Sequence, residues 1–332
     1  MATGRRTGRA TGRTSVERLA DRARTLKRPS LASLTAKLEF PLRAPATPGT
    51  VEPLPEEPTL GAHYDTEWAR RFPARWARTV LLEGAIRPSI RVLADPERRG
   101  YDRLSDLAEA GDPVIFAANH HSHLDAGLLL SSLPEPWRYK VFAAAAADYF
   151  FTNRVTATAS ALALGAIPIE RSEVTRRSAD QAAALLGDGW SMVIFPEGGR
   201  SPDGWGQPFR GGAAYLSIRC GVPVVPVHIR GTDRILPKGS NRLRRGRTRV
   251  TFGAPLQPGE GETSRRFATR LEAAVGALAD EVGGDWYTAR VRAHAGTSPS
   301  LNGSELDGWR RAWALGERQG KPRPPAHRWP DV

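Results

Sequence analysis

An α/β fold with a largely parallel central sheet flanked by helices is the architecture this sequence predicts. Two observations carry that expectation. From about residue 101 onward, short apolar runs alternate with helix-compatible stretches, the rhythm of strand and helix taking turns. Polar and charged clusters then follow several of those runs directly. That places them at the carboxyl ends of predicted strands, where open α/β sheets build their sites.

The predicted strands are 114–117, 140–144, 166–169, 192–195 and 222–227, with a last one at 249–252. Between and after them, helices are expected near 124–132, 148–163, 174–187, 211–219 and 264–282. The segment 155–169, rich in Ala, Ser, Thr and Gly, reads as a buried helix leading into a strand. It is also the closest the chain comes to the roughly 20 consecutive apolar residues that span a bilayer. No membrane span is predicted, and Arg5-Arg6 lacks the following apolar stretch of an export signal.

Length and charge set the wider organisation. The 332 residues leave room for one large domain with appendages. A net charge of +13 points to a polyanionic partner: nucleic acid, an anionic membrane face or phosphorylated substrates. The single cysteine, Cys220, excludes an intrachain disulfide and reads as a small buried residue near a helix end.

Residues 1–60 form a predicted disordered basic arm and Pro-rich linker, with eleven Lys and Arg before residue 50. It either binds anionic lipid or is a solvated tail. Residues 61–100 form an amphipathic helical segment in which Arg70, Arg71, Arg75 and Arg78 alternate with Trp68, Phe72, Trp76 and Val80. Pro73 and Pro88 are expected to break it. Such a segment lies in a membrane interface or packs on the main domain. The main domain covers 101–290. The tail, 291–332, has one short helix signal, with Leu306, Trp309 and Trp313 on one face.

The chemistry concentrates in Ala118-Asn119-His120-His121-Ser122-His123-Leu124-Asp125. Ser122 and Asp125 have the spacing of a capping box, which starts a helix at about Ser122. On one helix, His120 and Asp125 would point about 140° apart. With His120 on the turn and Asp125 in the first helical turn, the carboxylate reaches one imidazole nitrogen. The other nitrogen is then a general base for a hydroxyl.

Three further motifs stand at predicted strand ends: Gly165-Ala166-Ile167-Pro168-Ile169-Glu170-Arg171, Phe195-Pro196-Glu197-Gly198-Gly199-Arg200-Ser201, and Val225-Pro226-Val227. With Asn119, His120, Ser122 and Asp125, they resemble the four sequence blocks of the glycerophospholipid acyltransferase family, in order and spacing. Its best-known branch acylates 1-acylglycerol-3-phosphate. Arg210, in Phe209-Arg210-Gly211-Gly212, stands where many relatives have lysine.

The resemblance implies a glycerol-3-phosphate acyltransferase-like fold and direct transfer from acyl-CoA or acyl carrier protein to a lysophospholipid. No cofactor, metal or covalent acyl-enzyme is implied. His120 would be the base and Asp125 its orienting partner. Arg171, Arg200 and the backbone around Gly198 and Gly199 would hold the acceptor phosphate. Glu197 would orient an arginine or bond the glycerol hydroxyl. Asn119, Ser122, Gly165, Pro196, Ser201, Arg210 and Pro226 would support the site.

The implied place of work is the cytoplasmic face of a membrane, reached peripherally through an anionic surface. A second basic cluster, from Lys238 to Arg249, would meet lipid headgroups, coenzyme A phosphates or only water. His121-Ser122-His123-Leu124-Asp125 also resembles the His-x-His-x-Asp-His motif of metallo-β-lactamase-like hydrolases, but Ala126 stands in place of its last ligand. A basic adaptor for nucleic acid would suit the arm, yet it leaves the acid-bearing blocks at the strand ends without a role.

Overall fold

Each central apolar run becomes a strand covered on both faces, so it reads as continuous rather than alternating. The computed structural model describes residues 60–170, 176–201, 205–237 and 242–302. The basic arm, the tail helix, Arg171 and Lys238 lie outside the described residues. The strands are β1 (Pro96–Arg99), β2 (Ile115–Ala118), β3 (Val141–Ala146), β4 (Ile167–Ile169), β5 (Ser191–Ile194), β6 (Val224–Arg230) and β7 (Thr248–Phe252). They form one sheet in the order β1-β7-β6-β2-β5-β3-β4, parallel throughout except that β7 runs antiparallel to β6.

The principal helices are α1 (Ala74–Leu81), α2 (Arg87–Ala94), α3 (Leu124–Ser132), α4 (Arg154–Leu164), α5 (Arg176–Gly187), α6 (Gly212–Cys220), α7 (Ser264–Gly283) and α8 (Trp286–Ala295). Alternate residues of β2 face opposite sides of the sheet. Phe116 and Ala118 enter a core with Ile90 of α2, Leu128 of α3 and Phe252. Ile115 and Ala117 enter a second core with Ala182 of α5, Leu216 of α6 and Leu271 of α7. β2 is therefore central, and the loop that leaves its carboxyl end is held by both layers.

Four local features differ from the sequence expectation. Pro88 does not break the amphipathic segment: a π-helical turn, Leu82–Ile86, precedes it and the chain stays helical from α1 into α2. That turn shifts the hydrogen-bond register where a residue without N–H has to fit. The stretch 148–163 is divided, because Asn153 caps α4 by accepting the Thr156 N–H at 2.9 Å. Only one face of α4 is buried, and Val155 is 79% exposed. β1 and α8 carry no apolar periodicity (Pro-Glu-Arg-Arg and Trp-Tyr-Thr-Ala-Arg-Val-Arg-Ala-His-Ala) and were not expected.

The sequence signature of the amino-terminal edge has a structural cause. Arg78 of α1 is buried and donates to Val141 O at 2.7 Å and Leu164 O at 3.2 Å. Burial, with Arg70 and Arg75 nearby, lowers its pKa to about 10. Gly165 ends α4 in the left-handed region, and a Cβ there would meet the Arg78 guanidinium at 2.7 Å. Pro226 lies within β6, where a missing N–H normally costs a ladder bond. Its carbonyl accepts from Gly253 at 2.8 Å on the flank where β7 has already ended at Phe252, so no ladder donor is required there. Gly165 and Pro226 thus serve the scaffold rather than the turn after β2.

Candidate active site

The turn after β2 begins with a side chain acting as a peptide. Asn119 donates its amide to Ile229 O at 2.8 Å and accepts the Ile229 N–H at 2.7 Å. This extends the pairing with β6 by one residue while leaving the main chain free to turn at His120. The His120 Nδ1 lies 2.9 Å from Asp125 Oδ2. The same oxygen accepts the N–H groups of His121 at 2.7 Å and Ser122 at 2.8 Å. Three donors on one oxygen fix a carboxylate that has no exposed surface, while its other oxygen, Oδ1, has no hydrogen-bond partner among the described residues. The His120 side chain keeps 16% of its area exposed. Its ring stacks on Phe195 with centroids 4.2 Å apart and planes 20° from parallel.

Ser122 and Asp125 do not start the helix where a capping box would. α3 begins at Leu124, with Ser122 Oγ accepting the Leu124 N–H at 3.2 Å and donating to Leu236 O at 2.8 Å. The reciprocal arm, Asp125 to the Ser122 N–H, is present. The carboxylate also collects His121 and the imidazole, which holds the turn non-helical through Ser122.

The third block folds onto this turn. Glu197 is buried, accepting the His120 N–H through Oε1 at 2.9 Å and the Gln207 N–H through Oε2 at 3.1 Å. Burial raises its pKa to about 8, against the opposing pull of those two N–H groups. The sequence expectation for Glu197 is an acceptor contact or an arginine partner, and the bonds described for it go to backbone N–H groups. Each of its oxygens accepts one backbone N–H, which ties the block to the turn after β2. The Ser201 N–H completes the tie by donating to His120 O at 2.8 Å. Gly198 has φ +70° and gives its N–H to Phe195 O at 3.1 Å, so that N–H is not offered to a phosphate. A Cβ at Gly198 would lie 2.8 Å from Arg210 Nε, so the glycine makes room for that guanidinium. The Arg210 N–H donates to Pro196 O at 2.9 Å. Gly199 carries its carbonyl to Gln207 Nε2 at 3.3 Å.

Arg200 leaves the same loop with its guanidinium 6.0 Å over the Tyr149 ring, and Tyr149 stacks on His123 at 4.8 Å. The structure therefore gathers Asn119, His120, Ser122, Asp125, Glu197 and Ser201 into one network, with Arg200 and Arg210 on the adjoining loop. Phe195 was legible only as a motif letter. Because β2 and β5 are parallel neighbours with Ala117 opposite Ile194, Phe195 falls opposite Ala118, two residues before His120, and register would have placed it near that turn. Gln207, Tyr149 and His228 have no such signal. His228 on β6 is buried next to Ile229, and burial, with His121 as a lesser cause, lowers its pKa to about 3. Among the described residues, no cluster of three or more His, Cys, Asp or Glu could hold a metal ion.

Comparison with known proteins bears on this geometry. A family model described as Acyltransferase matches residues 99–230, a span that contains all four blocks. A chloroplastic 1-acyl-sn-glycerol-3-phosphate acyltransferase of Brassica napus is 33% identical over 157 residues, 46% of this chain and 43% of its own length. One from Arabidopsis thaliana is 32% identical over 157 residues, 46% of this chain and 42% of its own. The chain thus spans less than half the length of these curated relatives. The crystal structure of the 1-acyl-sn-glycerophosphate acyltransferase PlsC from Thermotoga maritima superposes with a TM-score of 0.49 at 23% identity, covering 66% of this chain and 84% of that one.

Proposed function

We propose, since the chain belongs to the acyltransferase family, that it moves a fatty acyl group from a thioester to the free hydroxyl of lysophosphatidic acid, giving phosphatidic acid. The observation that carries this reading is the 2.9 Å contact of His120 Nδ1 with Asp125, beside a loop bearing two arginines. A carboxylate at Nδ1 selects the tautomer that holds its proton there, leaving Nε2 as the base. The acceptor oxygen attacks the thioester carbonyl carbon as its proton passes to Nε2. The C–S bond then breaks, and the imidazolium returns the proton to the departing sulfur. Asp125 stabilises the imidazolium between the two steps. No acyl-enzyme forms.

Arg171, Arg200 and Arg210 bind the acceptor phosphate, for which the planar guanidinium fork is suited. The thioester is acyl-CoA or acyl carrier protein. The work takes place peripherally at the cytoplasmic face of a membrane, since acceptor and product are both amphiphiles. Among the described residues no helix is long and apolar enough to cross a membrane.

The test is a panel of acceptors offered to the purified chain with either donor, read by mass spectrometry of the product. Lysophosphatidic acid is expected to turn over fastest. Preference for glycerol-3-phosphate, another lysophospholipid or a glycolipid would move the acceptor while keeping the chemistry. No transfer to any of them would sink the proposal.

A further inference from the structure

The parallel strands β2, β5 and β3 are neighbours in the sheet, so the segments that leave their carboxyl ends share one edge. The turn after β2 carries His123, the short helix after β3 (Ala147–Phe150) carries Tyr149, and the loop after β5 carries Arg200. Tyr149 meets both of the others. Its ring stacks on His123 with centroids 4.8 Å apart and planes 21° from parallel, and the Arg200 guanidinium lies 6.0 Å over it. Phe150 closes the group edge-on, 5.0 Å from the Tyr149 ring and 6.0 Å from that of His123.

Burial does not account for the place of Tyr149. Its segment is anchored instead by Ala147 and Phe151, both in the interior. The Phe151 ring lies 5.7 Å from that of Tyr64, and the Phe151 carbonyl accepts the Gly61 N–H at 3.0 Å. Tyr149 itself is 48% exposed, so its neighbours on the sheet edge, rather than the core, give its position a purpose.

Arg200 is held from its main chain as well. Gln207 Nε2 donates to Gly199 O at 3.3 Å and Arg200 O at 3.2 Å, while the Gln207 N–H goes to Glu197. Those bonds fix the loop but leave the direction of the long arginine side chain to be set beyond it. An arginine ordered only by its ligand loses rotamer freedom on binding, and an earlier contact removes that cost. A ring engages the flat face of a guanidinium, whereas a phosphate is bound at its edge, so both contacts can be made together.

We propose that Tyr149, braced by its stacking on His123, is a positioning residue that aims the Arg200 guanidinium at the acceptor phosphate. This rests on the reading above that Arg200 binds that phosphate. The base and the anion contact are then referred to one turn, since His123 follows His120 closely in the segment that leaves β2.

The experiment is steady-state kinetics of the whole chain with lysophosphatidic acid, comparing Y149L, Y149F, R200A and Y149L/R200A with the wild type. Y149L is expected to raise the acceptor KM roughly twofold to fivefold, the scale of an exposed cation–π contact, with kcat kept. Y149F should restore the wild-type KM, because the contact uses the ring face and not the hydroxyl. R200A should raise KM more than Y149L does, and adding Y149L to it should change nothing further, as for two residues that act in series. A rise in R200A with none in Y149L would overturn the positioning role, as would equal rises in Y149L and Y149F, or a Y149L effect undiminished in the R200A background. Each of those results leaves the phosphate reading of Arg200 standing. An unchanged KM in R200A would remove that reading and this proposal with it.

Discussion

Asp125 and Arg78 are both buried ionic side chains, and both are satisfied mainly by backbone groups. Asp125 gathers two N–H groups and an imidazole. Arg78 gathers two carbonyls and fills the space that a Cβ at Gly165 would need. The difference lies in what each can reach. Asp125 bonds His120, which keeps part of its side chain at the surface, whereas the Arg78 contacts end within the scaffold. Burial of charge does not by itself mark chemistry. What sets Asp125 apart is its contact with a titratable, partly exposed neighbour.

That contrast separates the two edges by experiment. His120→Ala should lower kcat by at least 10²- to 10⁴-fold, the scale of general-base catalysis, with an unchanged melting temperature. Near-normal turnover in that variant would remove His120 from the mechanism. Arg78→Met should do the opposite. It strands two buried carbonyls, destabilising the fold by about 3 kcal/mol in chemical denaturation, while kcat of the folded fraction is kept. A selective loss of kcat would show that the amino-terminal edge is not merely structural.

Phe195→Leu should reduce kcat about threefold to tenfold by releasing the stacked imidazole, and Phe195→Tyr should restore most of it. Equal losses in both variants would argue that the ring plane is set by Asp125 alone.

Two further effects lie in pH dependence, and their signs oppose. His228 has a pKa lowered to about 3, so between about pH 6.5 and 3 the unfolded chain takes up a proton that the folded one refuses. Stability should therefore fall as pH drops through that window, and His228→Leu should flatten the slope. Glu197, raised to about 8, holds its proton in the folded state while the unfolded chain loses it above about pH 4.5. Its contribution should decline as pH rises towards 8, and Glu197→Gln should remove that decline. Denaturant midpoints measured across both windows check the two signs.

Much of the sheet was legible in the sequence, because strands buried on both faces leave apolar runs that no surface segment imitates. The place of His120 and Asp125 followed from the strand–turn–helix rhythm. β1 was not legible, since an edge strand of Pro96, Glu97, Arg98 and Arg99 buries too little to leave a pattern. α8 was missed for a similar reason: only Ala289 of its residues is buried. The part played by Glu197 was hidden more deeply. A carboxylate between a glycine pair and a proline suggests a ligand contact, and only tertiary packing shows both oxygens taken by the N–H groups of His120 and Gln207. Pro88 misled because a π-helical turn, which has no sequence signature of its own, absorbs it.

One reversal of direction in the sheet has a consequence for how such a chain can diversify. Because β7 alone runs against its neighbour β6, the segment joining them crosses no face of the sheet, and past the short helix Thr232–Ile235, whose Ile235 is buried in the core, its described residues 242–245 are exposed. It can lengthen, shorten or change its charge at little entropic cost, about 0.6 kcal/mol per doubling of loop length. A chain built this way can change the exposed part of one connection, while Ile235 and Leu236 keep its base fixed to the core and to Ser122.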